Sequence, residues 1–202
     1  MTPLEALAQR IRACQDCPLA RTRTQAVPGE GPDTPLIMCI GEAPGYHEDQ
    51  EGRPFVGPAG RFLEELLASV GIKRSEVYIT NVVKCRPPDN RDPLPGEIEA
   101  CKKYLDEQIA LLRPKIIVTL GRYSLARFAP KESISKVHGK PRRIPEGILF
   151  PMYHPAAALH YQGLRPVLEQ DIRLLPELIR QVQQGLAQVP SAEPPPQQLS
   201  LF

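Results

Sequence analysis

The sequence predicts an α/β protein of three layers, in which helices cover both faces of a central four-stranded parallel sheet. Four short apolar runs recur along the chain, and each has the length of one buried strand. Segments of helical length lie between these runs, and this alternation is typical of parallel sheets whose connections are helices. The 202 residues are enough for one such domain with a substantial core.

The order of elements follows from the apolar runs and their breaks. Apolar residues at positions 4, 7, 8 and 11 indicate a first helix over 4–13. Gly71 is expected to end a helix over 58–70, because glycine is common just after a helix. Residues 131–143 are expected to form a basic loop. Strands are expected at 36–40, 77–83, 115–120 and 147–152, and further helices at 96–112, 122–128 and 165–184.

The composition excludes several classes of protein. The formal net charge is +2, which is too small to indicate a polyanion partner by itself. No apolar run approaches the roughly 20 residues that span a bilayer, and the first residues lack the basic and apolar regions of a signal peptide. We therefore expect a cytoplasmic protein without a membrane partner, and we expect it to be a monomer.

One glycine-rich segment stands out. It comprises Gly-Glu-Ala-Pro-Gly at 41–45 and Gly-Arg-Pro-Phe-Val-Gly at 52–57. The segment follows the first strand, and open α/β sheets bind ligands at the carboxyl ends of their strands. Its glycines let the backbone approach a ligand closely. The alternative is an ordinary turn with Phe55 packed in the core, because loose glycine patterns are weak evidence.

The five cysteines fall into two groups. Cys39 lies in the first apolar strand and is expected to be a small core residue. Cys14 and Cys17 form a C-x-x-C pair, and Cys85 and Cys101 lie far downstream. In a cytosolic protein these four are more typical of metal ligands than of disulfides. They could hold an iron–sulfur cluster or a zinc ion, and a redox C-x-x-C pair with two unrelated thiols is the alternative.

Together these motifs resemble the family-four uracil-DNA glycosylases of bacteria and archaea over residues 1–180. The resemblance also rests on Thr-Asn-Val-Val-Lys-Cys-Arg-Pro-Pro at 80–88, on His-Pro-Ala at 154–156 and on the four-cysteine pattern. It implies the uracil-DNA glycosylase fold within residues 1–185. It further implies a [4Fe–4S] cluster, which favours iron over zinc, held by Cys14, Cys17, Cys85 and Cys101.

The resemblance implies a site for a base that has been flipped out of DNA. Phe55 would stack on uracil. The amide of Asn81 can pair with uracil O4 and N3–H together, whereas cytosine presents the reverse pattern. The backbone from Gly41 to Ala43 would approach the base and sugar. His154 would donate to uracil O2 while negative charge develops on the leaving base.

Three roles are open for Glu42: stabilising a cationic sugar, orienting the attacking water, or pairing with a basic residue. Some related families carry an aspartate at the position of Ala43 to orient the water, and alanine cannot do that. We expect no lysine in these motifs to act as an amine nucleophile, so water should attack. Asn81 could instead cap a turn, and His154 could instead bond a backbone carbonyl in the core.

Two further segments are expected to contact DNA. Residues 131–143 contain five basic residues against one acidic residue, and such a loop would contact phosphates. A solvated charged loop is an equally good interpretation. Leu159 follows the histidine motif and could fill the gap that a flipped base leaves. The predicted DNA-contacting residues are Lys136, His138, Lys140, Arg142, Arg143 and Leu159.

Residues 186–202 differ from the rest of the chain. Their high proline content predicts an extended, disordered linker. The last residues form an apolar cluster that resembles the short peptide by which bacterial repair proteins bind the sliding clamp. The alternative is a tail that folds back onto the domain. The predicted clamp-binding residues are Gln198, Leu199, Leu201 and Phe202.

The resemblance thus implies a monofunctional DNA glycosylase of base excision repair. It would hydrolyse the N-glycosidic bond of uracil in single- or double-stranded DNA and leave an abasic site. Two alternatives stay open. One is a non-catalytic iron–sulfur DNA-binding protein with the same fold, and the other is a related glycosylase that prefers another deaminated base, such as hypoxanthine.

Overall fold

The computed structural model describes residues 1–185, with a five-stranded sheet at the centre. The strands are β1 (Ile37–Gly41), β2 (Val77–Asn81), β3 (Ile116–Leu120), β4 (Arg142–Ile144) and β5 (Gly147–Met152). Their order across the sheet is β2-β1-β3-β5-β4. The first three strands and β5 pair in parallel, and β4 pairs antiparallel with β5. The predicted parallel sheet of four strands is confirmed, with one additional strand at its edge.

Helices cover both faces of this sheet, as the three-layer prediction required. One short helix, residues 46–51, lies inside the segment that was expected to be a glycine-rich loop. In the part of the chain that the structure describes, no helix is both long and apolar enough to cross a lipid bilayer. The helices are α1 (Pro3–Ala13), α2 (Tyr46–Glu51), α3 (Pro58–Ser69), α4 (Pro95–Leu112), α5 (Arg122–Phe128), α6 (Ile134–Val137), α7 (Pro155–His160), α8 (Leu164–Ile172) and α9 (Leu175–Gln183).

The expectation of a loop at 131–143 is wrong. This segment contains α6 and the first residues of β4, and a two-residue turn at Pro145 and Glu146 connects β4 to β5. Arg142 and Arg143 form no apolar run. Pairing with β5, rather than a local sequence pattern, therefore makes this segment a strand.

The single helix expected at 165–184 is divided into α8 and α9, with Arg173 and Leu174 between them. Pro176 lies in the first turn of α9. In one continuous helix its ring would collide with the carbonyl group of Ile172, and it has no N–H to donate. Proline is tolerated at the start of a helix, so a new helix begins there.

Strands β1, β2 and β3 are buried along their whole length, which explains their continuous apolar runs. Ile37 and Cys39 pack on the face covered by α3, α8 and α9, whereas Met38 and Ile40 pack on the face covered by α4 and α5. Cys39 is 1% exposed, and burial raises the pKa of its thiol to about 12. Its predicted place in the core is confirmed.

The parallel strands present their carboxyl ends at one edge of the sheet. The chain passes from β1 to β2 on one side, whereas β3 lies on the other side of β1. The strand order therefore reverses beside β1, and open α/β sheets bind ligands at such a point. The glycine-rich segment after β1, Asn81 at the end of β2 and His154 just beyond β5 all reach this edge.

The first turn of α3 packs closely against the segment that carries Phe55. An added Cβ at Gly60 would overlap the carbonyl group of Phe55 and lie 2.8 Å from its Cα. These are backbone atoms, so a change of rotamer cannot relieve the overlap. An added Cβ at Gly96, near the start of α4, would have no atom within 4 Å. Gly96 can therefore serve as the control position in a test of the close packing at Gly60.

We expect Gly60→Ala to lower the free energy of unfolding by about 2 kcal/mol or more, because overpacking against backbone forces the Phe55 segment to move. Gly96→Ala should raise it by about 0.5 kcal/mol, because alanine has less conformational freedom to lose in a helix. Urea unfolding of both variants measures these changes. Unchanged stability of Gly60→Ala would contradict the close packing.

Candidate active site and cysteine cavity

An open cleft of about 890 Å³ lies at the carboxyl edge of the parallel strands. The segments that follow β1, β2 and β5 form its walls. Five of the residues predicted to meet the base line this one cleft, namely Glu42, Ala43, Phe55, Asn81 and His154. They come from distant parts of the chain, so the fold brings them together.

Asn81 places a buried amide in the cleft. The residue is 1% exposed, and its Oδ1 is buried without a hydrogen-bond partner among the described residues. Gly41 lies opposite in the β1–β2 register, and a Cβ there would overlap this Oδ1 and come within 2.6 Å of the Phe55 ring. An unpaired buried acceptor costs about 1–3 kcal/mol. The amide caps no turn in the described chain, and its oxygen is available for an external donor.

Lys84 holds the end of β2 from inside the protein. Its Nζ donates to Thr80 Oγ1 at 2.6 Å, to the Asn81 backbone oxygen at 2.7 Å and to Gln108 Oε1 at 2.6 Å. Burial lowers its pKa to about 7. Lys84 lies in the third motif, where no lysine was expected to act as an amine nucleophile. Its amine is directed into the interior, and the residue does not line the cleft.

Phe55 has a left-handed backbone conformation, with φ of 51°. Such strain persists where neighbouring groups hold the residue. The guanidinium of Arg74 donates to the Phe55 carbonyl oxygen at 2.8 Å and to that of Pro54 at 2.5 Å. These bonds, together with the close approach of Gly60, keep the aromatic side chain at one position beside the cleft.

The Phe55 side chain packs in the core and also reaches the cleft. It is 5% exposed and packs with the core, and its ring also lines the cleft. Its ring centre lies 5.5 Å from that of His154, with 25° between the planes. A base sandwiched between two rings needs about 7 Å. A planar ligand therefore fits beside these rings and not between them.

Glu48 joins the two glycine motifs and was missed in the sequence. Its Oε2 accepts from the N–H of Gly45 at 3.1 Å, and its Oε1 accepts from the N–H groups of Val56 and Gly57, both at 2.9 Å. One carboxylate thus fixes the start of α2 and the backbone next to Phe55. A glutamate three residues after Gly45 has the spacing of a helix capping box, and this signal could have revealed it.

His154 presents a defined nitrogen to the cleft. Its Nδ1 accepts from the N–H of Ala156 at 3.1 Å, so the proton of the neutral ring is on Nε2. Burial lowers the pKa of His154 to about 4, although the nearby Glu48 carboxylate opposes this shift. The imidazole is therefore neutral at physiological pH, with Nε2–H as a donor. The alternative of a bond to a core carbonyl is not what the structure shows.

The Glu42 carboxylate lies in the cleft without an ion pair or hydrogen bond to another described residue. Burial and the nearby Asp92 carboxylate raise its pKa to about 7, although Arg122 opposes this shift. Asp92 and Arg122 pair with each other at the edge of the cleft. Of the three roles left open for Glu42, the salt bridge is not found among the described residues. A carboxyl group with this pKa exchanges protons near neutral pH.

A second, smaller cavity lies between α1 and α4, and the four predicted ligand cysteines line it together. Cys85 and Cys101 are each 6% exposed, and Cys14 and Cys17 are partly buried. The alternative of one redox pair with two unrelated thiols does not fit, since all four share the cavity. The remaining walls are mostly apolar, and they include Ile11, Ala20, Val83, Ala100 and Tyr104.

The donors around these sulfur atoms fit a thiolate-bound metal group. Arg23 donates to Cys85 Sγ at 3.0 Å, and the Lys84 backbone N–H donates to Cys101 Sγ at 3.3 Å. Burial raises the pKa of both thiols, that of Cys101 to about 11, so thiolates here require a bound cation. Within residues 1–185, no three metal-ligating side chains converge on one point for a single ion. The ligands of a [4Fe–4S] cluster bind separate irons.

Comparisons with known proteins agree with this arrangement. A family model described as the uracil DNA glycosylase superfamily matches residues 28–175. A type-4 uracil-DNA glycosylase of Sulfurisphaera tokodaii is 50% identical over 188 residues, which cover 88% of this chain and 86% of that protein. One of Thermotoga maritima is 43% identical over 182 residues, covering 88% and 95%. This chain belongs to the type-4 uracil-DNA glycosylase family.

A type-5 uracil-DNA glycosylase of Thermus thermophilus is also similar, at 32% identity over 188 residues. That match covers 74% of this chain and 85% of the relative. The lower identity and coverage agree with assignment to the type-4 family.

In this type-4 chain the basic segment is largely engaged with itself. Lys140 Nζ donates to the Lys136 carbonyl oxygen at 2.8 Å, and Arg142 pairs with Glu132. Among the described residues that line the cleft, none belongs to the segment 131–143. The segment lies along the edge of the sheet, where β4 pairs with β5.

His138 and Leu159 differ in what surrounds them. His138 Nδ1 lies 2.8 Å from Asp171 Oδ2, and its ring centre lies 4.8 Å from that of Tyr153. These contacts attach α6 to α8. Leu159 lines the cleft and is 47% exposed. The predicted clamp-binding residues, Gln198, Leu199, Leu201 and Phe202, lie outside the described residues.

Proposed function

We propose that this protein removes uracil from DNA by hydrolysing its N-glycosidic bond and so starts base excision repair. The relatives that are 43–50% identical over most of the chain carry the name of this activity. The observation that carries the proposal is the buried, unpaired Oδ1 of Asn81 in the cleft. A site with an unsatisfied acceptor selects a ligand that supplies a donor there.

Uracil supplies that donor next to an acceptor. Its N3–H can donate to Asn81 Oδ1 while its O4 accepts from the Asn81 Nδ2 group. Cytosine has an acceptor at N3 and a donor at its exocyclic amine, so it would face two like groups. The missing side chain at Gly41 lets the Asn81 amide and the Phe55 ring lie close to β1, and the Phe55 ring offers the base an apolar wall.

His154 stabilises the departing base in this proposal. Its Nε2–H donates to uracil O2 as the glycosidic electrons move onto the base. Because the imidazole is neutral and its pKa is about 4, it acts as a hydrogen-bond donor and not as a proton source. A preorganised donor in a dry site stabilises such an anion strongly.

Water is the proposed nucleophile. The amine of Lys84 is committed to three internal acceptors. Glu42, with a pKa of about 7, is partly ionised at neutral pH. Its carboxylate can orient the water or stabilise the cationic sugar, and Ala43 can do neither.

Hypoxanthine is a second candidate substrate because it also presents an N–H donor beside a carbonyl acceptor. The Asn81 amide by itself cannot distinguish it from uracil, so the size of the cleft must do so. A non-catalytic DNA-binding protein is the remaining alternative. A glycosylase assay on oligonucleotides with uracil, hypoxanthine or cytosine separates the three functions.

The decisive variant is Asn81→Asp, which keeps the shape of the side chain and removes the donor to O4. We expect it to slow uracil excision in single turnover by about 100-fold or more. His154→Ala should slow excision by a similar factor while DNA affinity stays within about threefold, because its donor acts mainly on the developing anion. Excision by Asn81→Asp at the natural rate would refute the role of the amide.

The cysteine cavity is proposed to hold a [4Fe–4S] cluster through Cys14, Cys17, Cys85 and Cys101. The shared cavity and the two donors to sulfur support this. The cluster would be structural, since its ligands lie on or near α1, β2 and α4. It would attach the amino-terminal helix to the sheet.

We expect anaerobically purified protein to contain about four irons and four sulfides per chain and to absorb broadly in the visible range. Cys17→Ala should lose most of the iron and unfold at a lower temperature. Cys39→Ala is the matched control, because Cys39 lies in the core away from the cavity, and it should retain its iron. One zinc and no iron per natural chain would refute the cluster.

DNA contact is proposed at the residues predicted from the sequence, with different support for each. Leu159 has the strongest support, because it is exposed at the cleft. Lys136 and Lys140 lie outside the cleft and could contact phosphates farther along the strand. Arg142 and His138 have internal partners, which weakens their case as phosphate contacts.

The carboxyl-terminal peptide is proposed to bind the bacterial sliding clamp, on sequence grounds alone. Its apolar residues follow a proline-rich stretch, and a tether of this kind would raise the effective concentration of the domain at DNA. The double variant Leu201→Ala with Phe202→Ala tests it.

In calorimetric titrations of the clamp, the full chain should bind. The double variant and a chain that ends at Pro196 should each bind at least about tenfold more weakly. All three should excise uracil from short oligonucleotides equally well. Equal clamp affinity of the three proteins would remove the peptide from the mechanism.

A further inference from the structure

Tyr46 is an exposed aromatic residue of the cleft with no part in the proposed chemistry. It is the first residue of α2, it lines the cleft, and 53% of its surface is exposed. The same cleft contains Asn81 and Phe55, which are assigned to the flipped base. An exposed aromatic side chain on a wall of a nucleic-acid site is a candidate for stacking on a second base.

Arg86 extends this aromatic surface. Its guanidinium carbon lies 5.2 Å from the centre of the Tyr46 ring, a cation–π arrangement. Its Nε donates to Asn90 Oδ1 at 2.6 Å, which fixes the plane of the guanidinium. The ring and the guanidinium therefore form a preformed cation–π pair that joins the loop after β2 to α2.

The charge of Arg86 is available to a ligand. The two arginines that line the cleft next to it are paired, Arg91 with Glu97 and Arg122 with Asp92. Within residues 1–185, Arg86 forms no ion pair, and its only hydrogen bond uses Nε. Its terminal nitrogens can thus donate to a phosphate oxygen, which is a common use of arginine at nucleic-acid sites.

We propose that Tyr46 and Arg86 bind the nucleotide next to the uracil in the same DNA strand. Its base would extend the stack, and its phosphate would accept from the Arg86 guanidinium. Aromatic rings, guanidinium planes and nucleobases all stack on one another, and an unpaired base offers a free face. The site therefore favours a neighbour that is not paired with a second strand. This inference rests on the proposed function and adds a second nucleotide to it.

The test is a coupling experiment between the protein and the substrate. Single-stranded oligonucleotides carry a 2′-fluorinated uracil nucleotide, whose glycosidic bond resists hydrolysis. The base on its 5′ or its 3′ side is replaced by an abasic spacer. Fluorescence anisotropy gives the affinities of the full natural chain, of Tyr46→Ala and of the control Tyr46→Phe, which retains the ring.

We expect one of the two spacers to weaken binding by the natural chain and by Tyr46→Phe about tenfold. Tyr46→Ala should bind the intact oligonucleotide about tenfold more weakly than the natural chain does. Its affinity for the oligonucleotide with the same spacer should be no lower than its affinity for the intact one. Arg86→Gln should also bind more weakly, with a smaller dependence on salt concentration. Inhibition by free uracil should be unchanged in all variants, since Asn81 and Phe55 are untouched.

The proposal would be overturned if the losses were additive, that is, if each spacer lowered the oligonucleotide affinity of Tyr46→Ala by the same factor as that of the natural chain. So would an unchanged affinity of Tyr46→Ala, which would mean that Tyr46 and Arg86 only stabilise each other. A separate assay of uracil excision by the natural chain distinguishes a failure of the proposed function from a failure of the stacking site. Absence of excision refutes the proposed function, whereas excision without coupling refutes the stacking site only.

Discussion

The buried amine of Lys84 is the constraint on which both sites of the protein depend. Taking a polar group out of water costs free energy unless other groups replace the water. Here three neutral oxygens do so, from Thr80, Asn81 and Gln108. The Lys84 backbone also donates to Cys101 Sγ. One residue therefore joins the end of β2, helix α4 and the cysteine cavity, and the Asn81 backbone cannot shift without breaking this network.

The glycine-rich segment is also held in place by contacts with several other residues. The strained Phe55 backbone is fixed by Arg74, by Glu48 and by the close approach of Gly60. A loop that was free to relax would lose its left-handed residue, and with it the position of the ring. The cost of the strain is offset by bonds to a guanidinium and a carboxylate, which are stronger than those between neutral groups.

The cleft combines groups whose ionisation differs because their surroundings differ. Burial keeps His154 neutral, with its proton on the nitrogen that is not bonded to Ala156. Burial and Asp92 bring the pKa of Glu42 to about 7. His154 can therefore stabilise an anion by a hydrogen bond, and Glu42 offers a carboxyl group that exchanges its proton near neutral pH. This division suits a reaction that develops negative charge on a base and positive charge on a sugar.

The parallel strands and most helices were predictable from the sequence, because they depend on local apolar runs, and so was the place of Cys39 in the core. The motifs predicted five residues of the cleft, but only folding brings these residues together. Strand β4 was decided only by pairing with β5, since its own residues carry no strand pattern. The roles of Lys84 and Glu48 were likewise decided by tertiary structure. Lys84 meets Gln108, and Glu48 meets Val56 and Gly57, and contacts between separated segments form only when the chain has folded.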